Sequence, residues 1–158
     1  MRIFKDILNA LRQEEADSHI HTTPLLTVSG VGTGSAYTSG DAFGRKITLH
    51  VPVEGTISNV VFQDLDDEGI NKELVLFDRD FEETADNAAF AVSDADLAKC
   101  IGVAYINTWS DFGNNQVGQA VPALSYVTPN GMLYAQLVTR GADNIAAGAI
   151  PTFFVVVV

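Results

Sequence analysis

A single cysteine, Cys100, leaves no partner for a disulfide within the chain, so the fold makes no demand for an oxidising compartment. Positive charge is scarce too. Nine lysines and arginines face 20 aspartates and glutamates, a net charge of −11, and phosphate binding needs a basic face. Nucleic acid is therefore not expected as a partner, and neither is an anionic membrane surface. No run approaches the roughly 20 apolar residues that cross a bilayer. Arg2 and Lys5 are not followed by the unbroken apolar core of a secretion signal, because Asp6, Asn9, Arg12 and Gln13 interrupt it. The N-x-Ser/Thr sequon is missing as well. Synthesis and assembly in the cytoplasm is the expectation.

What is present argues for a packed β domain. A 47% hydrophobic composition with nine Phe, four Tyr and one Trp excludes global disorder. A chain of 158 residues suits one domain, burying roughly 70% of its unfolded surface. The end of the chain, Pro151 to Val158, reads P-T-F-F-V-V-V-V. Its β-branched and aromatic density favours a strand, yet a strand in a two-sheet sandwich needs only one apolar face. Leu74-Val75-Leu76-Phe77 is likewise apolar on both faces. A neighbouring chain is the expected cover for these second faces.

At the other end, Ile3, Phe4, Ile7, Leu8 and Leu11 recur at helical spacing opposite Lys5, Asp6, Asn9 and Arg12, which predicts an amphipathic helix over 2–13. A dozen residues is marginal as a free helix, so it needs a surface to dock on. Residues 13–24 are polar, 25–29 read as a short extended piece, and Gly30-Val-Gly-Thr-Gly-Ser-Ala36 reads as a flexible connector. The division is an N-terminal arm over 1–36 and a β-sandwich over 37–158. Ile47, Leu49, Val51 and Val53 alternate as a half-buried strand. Further strands are read at 57–65, 73–78, 100–108, 120–128, 132–138 and the C-terminus, with a one- or two-turn helix opened by Ser93-Asp-Ala-Asp96. Pro129-Asn130-Gly131 signals a hairpin, and 109–118 and 140–148 read as loops. Seven or eight short strands with little helix predict an all-β chain, a β-sandwich, with the jelly roll as one arrangement open to it and strand order left unread. The first 13 residues carry three basic groups against one acid, whereas ten of the 20 acids fall between Asp64 and Asp86. A mildly basic arm on an acidic body suits a reach away from its own surface.

Catalytic patterns are thin. Asp64, Asp66, Glu68 and Gly69 match the start of a calcium loop, but Val75 stands where a bidentate Glu is required, so a solvated turn is expected. His19-x-His21 has no third ligand nearby, and His50 sits among alternating strand residues. No serine occupies a nucleophile elbow, and Cys100 lacks a histidine partner. Gly30-x-Gly32-x-Gly34 has no lysine at phosphate-loop spacing. No enzyme activity, metal or cofactor is expected. Trp109 and Phe112, in an Asn/Gly-rich stretch, form either a recognition tip or an aromatic plug over the sandwich.

The order of segments resembles a known group. Tyr37-Thr-Ser-Gly40-Asp41-Ala-Phe-Gly44 before a strand, Asp86-Asn-Ala-Ala-Phe90 leading to Ser93-Asp-Ala-Asp96, and Leu133-Tyr-Ala-Gln-Leu137 followed by Thr139-Arg-Gly141 are similar to the capsid decoration, or cement, proteins of tailed bacteriophages. The resemblance covers residues 37–158. It implies a non-catalytic β-sandwich, commonly a homotrimer, on the outer capsid of the virion, bound to the major capsid protein and holding its subunits together. Partner-binding residues are then expected on the arm (Ile3, Phe4, Ile7, Leu8, Leu11) and at Trp109 and Phe112. The alternative is a head-fibre or tail-associated module that binds host-surface glycans through those two aromatics.

Overall fold

A computed structural model describes residues 3, 5–7 and 20–158. The chain is mostly strand: β1 (His21–Thr22), β2 (Leu26–Thr27), β3 (Ala42–His50), β4 (Glu54–Asp64), β5 (Lys72–Phe77), β6 (Cys100–Ile106), β7 (Thr108–Asp111), β8 (Gln116–Ala120), β9 (Leu124–Val127), β10 (Met132–Thr139) and β11 (Thr152–Val157). One short helix, α1 (Asp94–Leu97), lies between β5 and β6. All pairings between these strands are antiparallel. The larger sheet runs β1–β11–β4–β8–β7, with β2 extending the β1 edge along β11 and β9 extending the β8 position along β4. The smaller sheet runs β3–β10–β5–β6.

The connectivity has a simple logic. Counting β1/β2 as one position and β7 to β9 as another gives eight positions in chain order, and the sheets then read 1-8-3-6 and 2-7-4-5. First pairs with last, second with seventh, and so on inward. That is a long antiparallel ribbon rolled up, the jelly roll. Between the sheets lie Phe43, Leu49, Ile57, Val60, Phe62, Leu74, Leu76, Ile106, Leu133, Leu137, Phe153 and Val155, all buried. Alternation puts them there: in β11, Phe153, Val155 and Val157 face in, while Thr152, Phe154 and Val156 face out and stay partly exposed.

Four expectations are corrected. The arm does not extend to residue 36, since β1 and β2 pair with β11 and Val28 and Val31 are in the core. Their few apolar residues are too sparse for a periodic signal but suffice once β11 supplies an edge. Gly30 to Ala36 is not a loose connector: the N–H of Gly32 is held by Tyr37 and Asp86. Residues 108–120 form the hairpin β7–β8 rather than a loop. Finally, Pro129-Asn130-Gly131 makes a turn but not a hairpin, because β9 and β10 belong to different sheets.

The two-faced strand β5 is covered by its own chain, so no neighbour is needed there. Residues 78–99 form a strap over the outer face of the smaller sheet. Phe81 stacks on Phe77 with ring centroids 3.9 Å apart, and Phe90 and Val92 pack on the same cluster with Val75 and Val138. Gln136, fully buried, donates to the carbonyls of Gly44 and Thr84 and accepts the N–H of Thr84. Lys46 reaches Asp80 and the Phe81 carbonyl, and Arg45 pairs with Glu83. Ser93 caps α1 by accepting the N–H of Asp96.

Candidate interaction surfaces

Among the described residues, no segment straps the larger sheet. Its outward side chains fall into rows set by the register: Thr27, Thr152, Gln63, Val117 and Ser110 across one level, then Phe154, Val61, Gln119 and Thr108, then Thr22, Val156 and Asn59. No residue in these rows is charged. On a chain with 20 acidic residues these rows are conspicuously neutral, a floor of hydroxyls, amides and β-branched groups with Phe154 near its middle, and Glu54 stands beyond them at the β9 end of the face. Large uncharged patches on an otherwise charged surface mark contact with another molecule.

The arm is described only at residues 3 and 5–7, which are helical. Ile3 and Ile7 are 76% and 53% exposed, so neither is packed on its own body. Phe4, Leu8 and Leu11 lie outside the described residues. The two tip aromatics part company. Trp109 faces inward from β7, donating its indole N–H to Asn71 at 3.0 Å and meeting Phe62 edge-on, the geometry of a plug. Phe112, in the β7–β8 turn, is 70% exposed.

An open cleft of about 310 Å³ lies beside this hairpin, lined by Tyr105, Asn107, Thr108, Gln119, Val121 and Pro122. Sequence reasoning missed it, because its lining comes from β6, β7 and the end of β8, which only the fold brings together. The acidic run is a turn as expected: the Asp64 carboxylate accepts the N–H groups of Asp66, Glu68 and Gly69. Asp66 and Glu68 reach across to the N–H groups of Ala146 and Asn144 and tie two loops together. Burial pushes the Glu68 carboxyl up, with Asp143, Asp66 and Asp64 adding to the effect. Among the described residues no group of three His, Cys, Asp or Glu side chains is arranged to hold a metal ion. Nor is any described helix long and apolar enough to cross a membrane.

One buried polar centre serves the fold. Asp86, from the strap, accepts the Tyr37 hydroxyl and the N–H groups of Gly32 and Gly44 at 2.7 to 2.9 Å. Burial first, then the bond to Asp86, holds the Tyr37 hydroxyl well above the usual phenol range. A second, Lys72 with Asp143, lies inside the sandwich.

No protein-family model matches the chain, and no curated protein matches it either. Among solved structures, a chain in the structure of infectious bursal disease virus Gt strain is similar at 10% sequence identity with a TM-score of 0.39. The match covers 89% of this chain and 32% of that one, so this chain spans about a third of the other's length. A weak structural neighbour of this sandwich is thus a chain of a virus.

Proposed function

We propose that the protein is a virion structural component, a capsid decoration protein that binds the outer capsid and stabilises contacts between major capsid subunits, without catalytic activity. The observation that carries this reading is the neutral outer face of the larger sheet. Copies carrying −11 repel one another, and approach is least unfavourable through a face whose central rows bear no charge. The occupant proposed for that face is a second copy of the chain, in a homo-oligomer with the trimer favoured. The arm is then left to reach the shell, where Ile3, Phe4, Ile7, Leu8 and Leu11 dock as a helix in a groove. Repetition over a symmetric shell turns a modest contact into firm attachment.

Sedimentation of the purified protein, alone and mixed with empty capsids, tests this. An oligomer that co-sediments with shells supports it, as does a monomer produced by V61K/F154K. A wild-type monomer that ignores shells overturns it. Removing residues 1–13 should abolish shell binding while leaving the oligomer intact.

A second reading, a glycan-binding module of the virion, is favoured by the cleft. Its lining offers the Tyr105 ring, the amides of Asn107 and Gln119 and the hydroxyl of Thr108, with no charge. Neutral amides and an aromatic face are groups that bind sugar hydroxyls and sugar rings. Loss of glycan or cell binding in Y105A/Q119A with shell attachment intact would favour it over the first reading.

A further inference from the structure

Six ion pairs are formed among the described residues, and five lie at the surface with at least one partner appreciably exposed. The sixth is different in kind. Lys72, the first residue of β5, places Nζ 2.6 Å from Oδ1 of Asp143 in the loop before β11, with side chains 2% and 1% exposed. The rings of Phe43, Phe62 and Trp109 surround Nζ with centroids at 4.9, 5.8 and 6.0 Å. Nζ donates also to the Ile70 carbonyl at 2.8 Å, and the other oxygen of Asp143 accepts the Thr139 hydroxyl.

We propose that Lys72 and Asp143 are the two halves of an intramolecular isopeptide cross-link, an amide between the lysine Nζ and the aspartate Cγ. A fully desolvated charged pair is poorly compensated in such a setting. Moving one proton along the Nζ–Oδ1 hydrogen bond converts it to a neutral amine beside a neutral acid. Burial favours that change, since it pushes the Lys72 ammonium down from its usual range. The amine lone pair then attacks Cγ, forming the N–C bond. Oδ2 takes the negative charge of the tetrahedral intermediate, where the Thr139 hydroxyl donates to it. A second proton passes from nitrogen to Oδ1, the C–Oδ1 bond breaks, and one water leaves. The balance is closed: amine plus carboxylic acid gives amide plus water, with no oxidant, activating nucleotide or metal. Holding the two groups in contact supplies the effective concentration that free amines and acids lack, about 10⁵ M or more in well-oriented systems. The product keeps its partners, because the remaining N–H still faces the Ile70 carbonyl and the new carbonyl oxygen still accepts Thr139. The link would join residues 71 apart, at the start of β5 and just ahead of β11.

The test is the mass of the full chain under denaturing conditions, followed by proteolysis and peptide sequencing by mass spectrometry. The expected result is a mass lower than the sequence requires by one water, and one branched peptide containing both Lys72 and Asp143. The variants K72R and D143A, read in the same way whether or not they fold, should show the full mass. A wild-type chain of full mass, with Lys72 labelled by an amine reagent after unfolding, overturns the proposal. So does a water loss that persists in the variants or maps to another residue.

Discussion

Asp86 shows how much one side chain of the strap can hold. It gathers three donors, from Gly32, Tyr37 and Gly44, although the Gly32 N–H also reaches the Tyr37 hydroxyl. Removing a charged acceptor strands partly buried donors, each worth about 1 to 3 kcal/mol. D86A should therefore lower the unfolding free energy by about 3 kcal/mol in a urea titration. Tyr126 is its opposite. Its hydroxyl is buried without a hydrogen-bond partner among the described residues, and burial raises its pKa. Y126F should leave stability unchanged or raise it by up to about 1 kcal/mol, because an unsatisfied group is removed. Neither residue stood out in the sequence. Tyr37 and Asp86 enter the sequence reading only within the segments that carry the resemblance, since a contact between residues 49 apart has no local signature.

The strap is the element that the sequence pattern hides. Apolar density at 74–77 calls for a cover on both faces, and the outer cover comes from residues 78–99 of the same chain and not from another molecule. Phe81, Phe90 and Val92 are spaced irregularly in an acidic, Ala-rich stretch, and no periodicity marks them as core. F81A should cost about 3 to 5 kcal/mol, the range for deleting a buried aromatic ring, and should lose the stacked contact with Phe77. The strap is also tied down by charge. Lys46 holds the Asp80 carboxyl below its ordinary range, Lys99 does so for Asp96, and the Lys46 N–H and Arg45 do so for Glu83. A carboxyl depressed in the folded state stabilises fully above its unfolded value and loses that contribution as pH falls through the folded one. Hydrogen exchange across 78–99 should therefore accelerate as pH drops below about 4, ahead of the strands beneath it. Equal acceleration of strap and core would contradict this.

At the scale of the whole molecule, the described residues give the two sheets unlike exteriors, one strapped and acidic, the other largely neutral. If like charge is what opposes self-association, sedimentation should show more of the larger species as ionic strength rises. A fall with added salt would point to ion pairs across the contact instead. The all-β class, most strand positions and the α1 cap were legible from alternation and capping chemistry. Strand order was not, since it depends on which distant partners each edge finds. The same holds for β1 and β2, two residues each, which exist as strands only because β11 lies beside them.

That dependence has a consequence for how the chain is made. β11 is an interior strand of the larger sheet, hydrogen-bonded to β4 on one side and to β1 and β2 on the other, yet it follows all of these partners in chain order. Until Thr152–Val157 clears the ribosome, Val60 and Phe62 of β4 lack their antiparallel neighbour and the first strands have nothing to join. Nascent chains must therefore wait, with a sticky half-built layer, for residues 152–157, and truncation ahead of that strand should leave aggregates rather than a smaller folded body.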